Sequence, residues 1–236
     1  DPATDALALV SGPTQLDTTG QSNHPSLAIS PLDGSVTVAW ISQATNPAAI
    51  LARSLAGNTW GAIETVSAAP VWTSPNSGVN IDQGPSLVID AQGVRHLAYI
   101  ENYRVTAPVE YGRVHYVTRS GTTWSDTYTG FYTHDPAVAI NSAGEVYIIG
   151  HGEAFNTAPC LSADDMCAYK RSPTGGWTAH LVATHQAGRS FDTSPSVKWA
   201  AFGLNRPETI EFIFPEVIAG DYTNSRLFYG LIGSIP

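Results

Sequence analysis

One six-residue pattern occurs four times, and that recurrence restricts the fold more than any other feature of the chain. His24-Pro25-Ser26-Leu27-Ala28-Ile29 returns as Gly84-Pro85-Ser86-Leu87-Val88-Ile89, as Asp135-Pro136-Ala137-Val138-Ala139-Ile140, and as Ser194-Pro195-Ser196-Val197-Lys198-Trp199. The prolines lie 60, 51 and 59 residues apart. After each of the first three copies comes a turn glycine (Gly34, Gly93, Gly144) and a second apolar stretch: VTVAW, RHLAYI and EVYIIG. The fourth copy is followed by ETIEFIF. Self-similarity at such a period marks a repeat architecture, in which one supersecondary unit is stacked several times.

The second half of the unit recurs as well. Arg53/Ser54/Trp60, Arg119/Ser120/Trp124 and Arg171/Ser172/Trp177 each frame a small glycine-containing turn that leads into a further strand. In VTVAW the large Val36, Val38 and Trp40 alternate with Thr37 and Ala39, the period of a strand rather than of a helix. Four-stranded units of 50–60 residues, apolar on both faces, are the pattern of propeller blades, because each blade stacks against a neighbour on either side. The chain therefore reads as all-β: a four-bladed β-propeller with four antiparallel strands per blade. It forms a single domain over 1–236, with blades at about 22–70, 83–132, 134–188 and 193–236. The fourth unit ends after its third strand, SRLFYGLIG, and the stretch at 6–18 stands where an outermost strand should precede the first blade. Pairing of that stretch with Ser225–Gly233 would close the ring and leave no open edge.

Charge excludes two classes of partner. Twenty acids face eleven bases, a formal charge of −9, and only 13% of residues are charged. No basic stripe exists to displace counterions from a nucleic acid, and no apolar run is long enough to span a bilayer, so neither nucleic-acid binding nor membrane insertion is expected. Cys160 and Cys167, with six residues between them, are read as a disulfide closing a small loop, against two buried thiols or part of a metal site. A disulfide points to an oxidising compartment, hence to a secreted or cell-surface protein. The start Asp1-Pro2-Ala3 is that of a processed mature protein or an excised domain.

The Ser…Gly…Trp turns resemble the Asp-box of sialidase-like propellers, Ser-x-Asp-x-Gly-x-x-Trp. Here the Ser-to-Trp spacings are 6, 4 and 5, all shorter than in that pattern, and the Asp is absent from all three turns. The resemblance implies the propeller fold and a turn-fixing role for these residues. It does not carry sialidase chemistry, which needs an arginine cluster at the starts of the inner strands. Those positions hold His24, Gly84, Asp135 and Ser194.

Candidate ligand-binding residues follow from the rim that a propeller forms with its B–C and D–A connections. Glu101, Glu153 and Glu216 each fall just after a second strand, so the repeat would gather them around one opening. Tyr103, Arg104, His151 and Tyr222 share those B–C segments, which look like long loops, and long ordered loops tend to be functional. Trp72, Tyr111 and Phe155 add aromatics that would stack on a sugar or pin the loops. On the D–A side, His24, His134 and Asp135 suit calcium or another divalent metal in the central channel. Lys198 replaces an inner-strand alanine or valine and must reach an acid or the water-filled channel.

No HExxH, CxxC, P-loop or GxSxG motif is present, and no catalytic residue can be named. The reading is an extracellular module that binds a glycan or a protein at its rim. The alternatives are a glycosidase or polysaccharide lyase using the rim carboxylates, and a structural domain of a larger secreted protein.

Overall fold

The structure is a computed structural model that describes residues 13–44, 48–68, 84–106, 109–133, 136–141, 143–152, 156, 158–161, 165–184, 189–191, 210–218 and 221–232. For 102–106, 109–111, 189–191, 210–218 and 221–232 it describes the backbone alone. The described residues form strands and no helix, and each sheet takes its strands in chain order with every pair antiparallel.

The first sheet runs β1 (Ser22–Ile29), β2 (Val36–Ser42), β3 (Ala49–Ala56), then an outer strand split into β4 (Thr59–Trp60) and β5 (Glu64–Thr65), both paired with β3. The second runs β6 (Ser86–Ile89), β7 (Arg95–Thr106), β8 (Val109–Ser120) and β9 (Thr123–Tyr132). The third runs β10 (Ala137–Ile140), β11 (Val146–His151), β12 (Met166–Arg171) and β13 (Trp177–Ala183). A fourth sheet holds β14 (Arg189–Phe191), β15 (Ile210–Ile218) and β16 (Asp221–Ile232). Three sheets of four antiparallel positions and a fourth of three strands make up the described structure.

Local chemistry explains the repeated residues. Between the first two strands of each unit, Gly34, Gly93 and Gly144 adopt φ of 71°, 78° and 78°, a left-handed conformation that glycine enters without strain. Asp90 Oδ1 accepts from the backbone N–H of Gln92 and Val94, and Asn141 Oδ1 accepts from that of Glu145, so a short polar side chain closes the turn from its first residue. In the Pro-Ser motif the serine reaches across to the next sheet. Ser26 Oγ accepts from Leu87 N at 3.1 Å, and Ser86 Oγ accepts from Val138 N at 3.0 Å. The arginine and tryptophan of the later turn stack, Arg53 on Trp60 at 5.9 Å and Arg119 on Trp124 at 5.5 Å. In the third unit the pair separates: Arg171 lies over Tyr116 of the second sheet, and Trp177 meets that ring edge-on at 5.3 Å.

Among the described residues, one apolar cluster lies at the seam between the first and second sheets and another at the seam between the second and third. Ala39, Ile41, Ile50, Ala52 and Val66 of the first sheet pack on Leu87, Leu97, Tyr99 and Val117 of the second. Ala98, Val114, Tyr116 and Phe131 on its other face pack on Val138, Ile148, Cys160, Cys167 and Tyr169. Phe131 and Tyr169 stack nearly parallel, centroids 3.7 Å apart. Burying a side chain such as Leu97 completely is worth roughly 1.5–3 kcal/mol, so the seams hold the sheets together. The Cys160–Cys167 disulfide is formed, with its Cα atoms 6.1 Å apart, and fastens the segment ahead of β12 into the second cluster.

Two expectations are corrected. The B–C connections of the second and fourth units are not long loops: β7 and β8 run twelve residues each with only 107–108 between them, and β15 and β16 are separated by 219–220. The backbone register carries the pairing from Arg95 opposite Arg119 out to Thr106 opposite Val109, and at Glu101 opposite Arg113 it brings opposite charges together across the ladder. Residues 13–18, read as part of a closing strand, form none. Leu16 O accepts from Arg53 Nη1 at 3.2 Å and Asp17 Oδ2 accepts from Trp40 Nε1 at 3.1 Å, which ties this stretch to the first sheet. Residues 6–12 lie outside the described ones, as does Pro195–Ala200, the expected first strand of the fourth unit.

Candidate functional site

The rim end of the second sheet concentrates polar chemistry on one face. Register places Tyr99, His115 and Tyr128 in one rung across β7, β8 and β9, and Glu101, Arg113 and Tyr132 in the next. Asp126 stands two residues before Tyr128 on the same strand face, since side chains alternate with period two. All seven therefore project toward the first sheet. Gly112 permits β9 to close over β8 here: a Cβ at that position would collide with the Ile100 side chain and come within 3.0 Å of Thr133 O.

His115 sits between two carboxylates. Its Nδ1 bonds Asp126 Oδ1 at 2.7 Å and its Nε2 bonds Glu101 Oε2 at 3.2 Å. Asp126 Oδ2 also accepts from Tyr99 Oη at 2.5 Å and from Ala68 N, just after the first sheet, at 2.7 Å. Arg113 Nη1 stands 3.7 Å from Glu101 Oε2, and its guanidinium lies over Tyr128 at 5.3 Å. The rings form a ladder, Tyr99 stacked on His115 at 5.0 Å and His115 tilted against Tyr128 at 5.8 Å. Tyr132 meets Tyr128 edge-on at 6.4 Å, and its backbone is held by Asn156, whose Oδ1 accepts from Tyr132 N and whose Nδ2 donates to Tyr132 O.

The electrostatics follow from this wiring. Burial lowers the His115 pKa, but the bond to Asp126 and then that to Glu101 outweigh it, and the net shift is upward. Burial raises Asp126, yet the bonds from His115, Tyr99 and the Ala68 N–H carry its pKa below the usual range. Burial and the bond to Tyr132 push the Tyr128 phenol up. Asp126 is saturated and 6% exposed, whereas Glu101 and Arg113 are 18% and 29% exposed, and the whole Tyr128 residue is 39% exposed. The relay thus runs from a sealed carboxylate through an imidazole bonded on both nitrogens to a less buried carboxylate beside an exposed ring.

Of the residues singled out from sequence, Glu101 belongs to this site. Tyr103 and Arg104 lie further along β7, Glu216 lies on β15 opposite Arg226, and Tyr222 lies on β16. His151 ends β11, fully buried opposite Met166. It shares a strand face with Ile149, away from the second sheet, so it does not join Glu101. His24 sits in β1 at φ 50°, where the pairing with β2 shifts. His134, Asp135, Glu153 and Lys198 lie outside the described residues, and so do the metal set built on the first two and the convergence of three glutamates. Among the described residues no three His, Cys, Asp or Glu side chains group as metal ligands. His115, Asp126, Tyr99, Tyr128 and Tyr132 were missed, although polar residues at every second position of three adjacent strands were a usable signal.

No family model and no curated protein matches the chain. Solved structures do. An α-L-arabinanase of Penicillium chrysogenum complexed with arabinobiose aligns at 13% identity and TM-score 0.52, over 90% of this chain and 63% of that one. A family 117 glycoside hydrolase of the marine bacterium Zobellia galactanivorans aligns at 13% identity and TM-score 0.49, over 92% of this chain and 71% of that one. The chain thus spans less than two thirds of the arabinanase. What this chain shares with the arabinanase is the fold, a propeller-type stack of antiparallel sheets.

Proposed function

We propose that the chain is an extracellular module that recognises a glycan at the rim of its first two sheets. One observation carries the reading: the Asp126–His115–Glu101 relay delivers a positioned carboxylate and the Arg113 guanidinium beside a half-exposed Tyr128. Sugar recognition uses such a set, polar groups for hydroxyls and an aromatic face for the ring's C–H surface. The Cys160–Cys167 disulfide supports export. A glycan array probed with the whole chain, in calcium and again in EDTA, tests the reading. Retained binding without release of sugar supports it, and loss in EDTA brings His24, His134 and Asp135 in as metal ligands. Silence across the array overturns it in favour of a protein partner or a structural role.

Hydrolysis is the second reading. Glu101 bonded to His115, whose pKa is raised by its two carboxylate partners, suits proton transfer to a leaving group, and an α-L-arabinanase shares the fold. Mass spectrometric detection of cleaved sugar, abolished by Glu101→Gln, would establish it.

The same reading includes a closed four-bladed ring, completed by residues 6–12 beside β16. Leu27 and Ile29 of β1 are 59% and 62% exposed on the face that such closure would bring against the fourth sheet. Deleting 1–12 should then lower the melting temperature, and an unchanged melt would exclude the closing strand.

A further inference from the structure

We propose that the ligand of this rim is a neutral, hydroxyl-rich saccharide and that Glu101 rejects acidic sugars; the inference rests on the glycan reading of the same site. The sealed carboxylate of Asp126 has both oxygens occupied, by His115 on one and by Tyr99 and Ala68 N on the other, and offers nothing to a ligand. Glu101 differs. Its bond from His115 and its approach to Arg113 both fall on Oε2, which leaves Oε1 as an acceptor with no partner among the described residues. The formal charges of Glu101, Asp126, His115 and Arg113 sum to zero with His115 protonated and to a single negative charge with it neutral, so in neither state do these four side chains exert a net cationic pull on an anion.

A group that bonds Oε1 must be a donor. A sugar hydroxyl meets that need at about 2.7 Å, whereas a uronate carboxylate or a sulfate ester would place negative charge against negative charge in a half-buried setting. Like charges facing each other across an interface are disfavoured, and this discriminates between ligands more than it adds affinity. Beside the carboxylate, Tyr128 exposes its ring next to the Tyr132 edge, and Asn156, from the connection between β11 and β12, fixes the Tyr132 backbone. The aromatic surface is in place before a ligand arrives, which spares the cost of ordering it on binding. Sialidase-like propellers, to which the Ser…Gly…Trp turns bear their resemblance, grip an anionic sugar with arginines. Here the one arginine of the cluster already faces a carboxylate.

The test uses the whole chain and two disaccharides that differ in the C6 carboxylates, α-1,4-galactobiose and α-1,4-digalacturonate, with the His115, Tyr128 and Tyr132 ring signals followed by NMR. Galactobiose should shift these signals, and digalacturonate should bind at least about tenfold more weakly. In Glu101→Gln, a near-isosteric change, the gap should shrink to about twofold or less, because the repelling charge is gone. Tyr128→Ala should weaken galactobiose binding without altering the thermal melt. Equal affinity for the two sugars at these rings overturns the inference and leaves the glycan reading standing, as does a gap that survives Glu101→Gln. If neither sugar moves these rings, the rim reading fails and takes this inference with it.

Discussion

Two histidines on opposite faces of the second sheet show what decides the state of a buried imidazole. His115 faces the first sheet and His96 the third, and both are almost completely enclosed. Each has both ring nitrogens engaged: His115 by two carboxylates, His96 by Asp90 Oδ2 at 3.1 Å and Tyr116 Oη at 2.5 Å. Burial presses both pKa values down. At His115 the bonds and charges of Asp126, then of Glu101, together outweigh burial and the net shift is upward. At His96 burial outweighs Asp90, a phenol takes the other nitrogen, Arg171 adds repulsion, and the shift stays downward. Tyr116 is itself pushed up to about 12 by burial, so it remains a neutral partner. The two rings differ in their partners, two carboxylates at the rim against one carboxylate and a phenol at the seam, and their pKa values move in opposite directions.

The comparison can be broken from either side. Phe131→Ala at the second seam removes the ring stacked on Tyr169 and should cost about 3–5 kcal/mol in denaturant unfolding. Asp126→Ala at the first seam strands His115, Tyr99 and the Ala68 N–H together and should cost about 3 kcal/mol, measured in the same way.

Titration sharpens the contrast. The stability that His115 contributes is fully present below its unfolded pKa of about 6.5 and is lost as pH rises through its higher folded value. His96 does the opposite: its contribution is present above about 6.5 and is lost as pH falls toward its lower folded value. NMR titration of both rings should show the two displacements, and Asp126→Asn should bring the His115 pKa down while His96 stays put. Movement of both rings in that variant would mean the two faces are electrostatically coupled through the sheet. The smallest effect expected is that of Ser86→Ala, which removes the hydroxyl acceptor for Val138 N and should cost about 1 kcal/mol by thermal or denaturant melt.

The sheets were legible in the sequence because their signals are local. The Pro-Ser motif, the turn glycines and the Arg-Ser…Trp turns each sit within a few residues of what they specify. The candidate site was legible only at Glu101. Its partners come from β8 and β9, fourteen and twenty-five residues further along, and only the strand register brings His115 and Asp126 beside it. The polar run ENYRVTAPVEYGR looked like a loop for the same reason: that it is paired strand is visible only from the register that sets Glu101 opposite Arg113. Arg53 and Arg119 could be assigned to the turn, but their stacking on Trp60 and Trp124 needed the fold.

The serines of the Pro-Ser motif have a consequence for how the molecule comes apart. Ser26 links the first sheet to the second and Ser86 the second to the third, but Ala137 stands at the equivalent place in the third and has no hydroxyl to offer onward. The series of stitches therefore stops one joint short. In an array where each module leans only on its neighbours, loss begins at the weakest joint and travels outward. Hydrogen exchange should open β15 and β16 first and the first two sheets last, so that the end of the chain yields while the rim site is still whole.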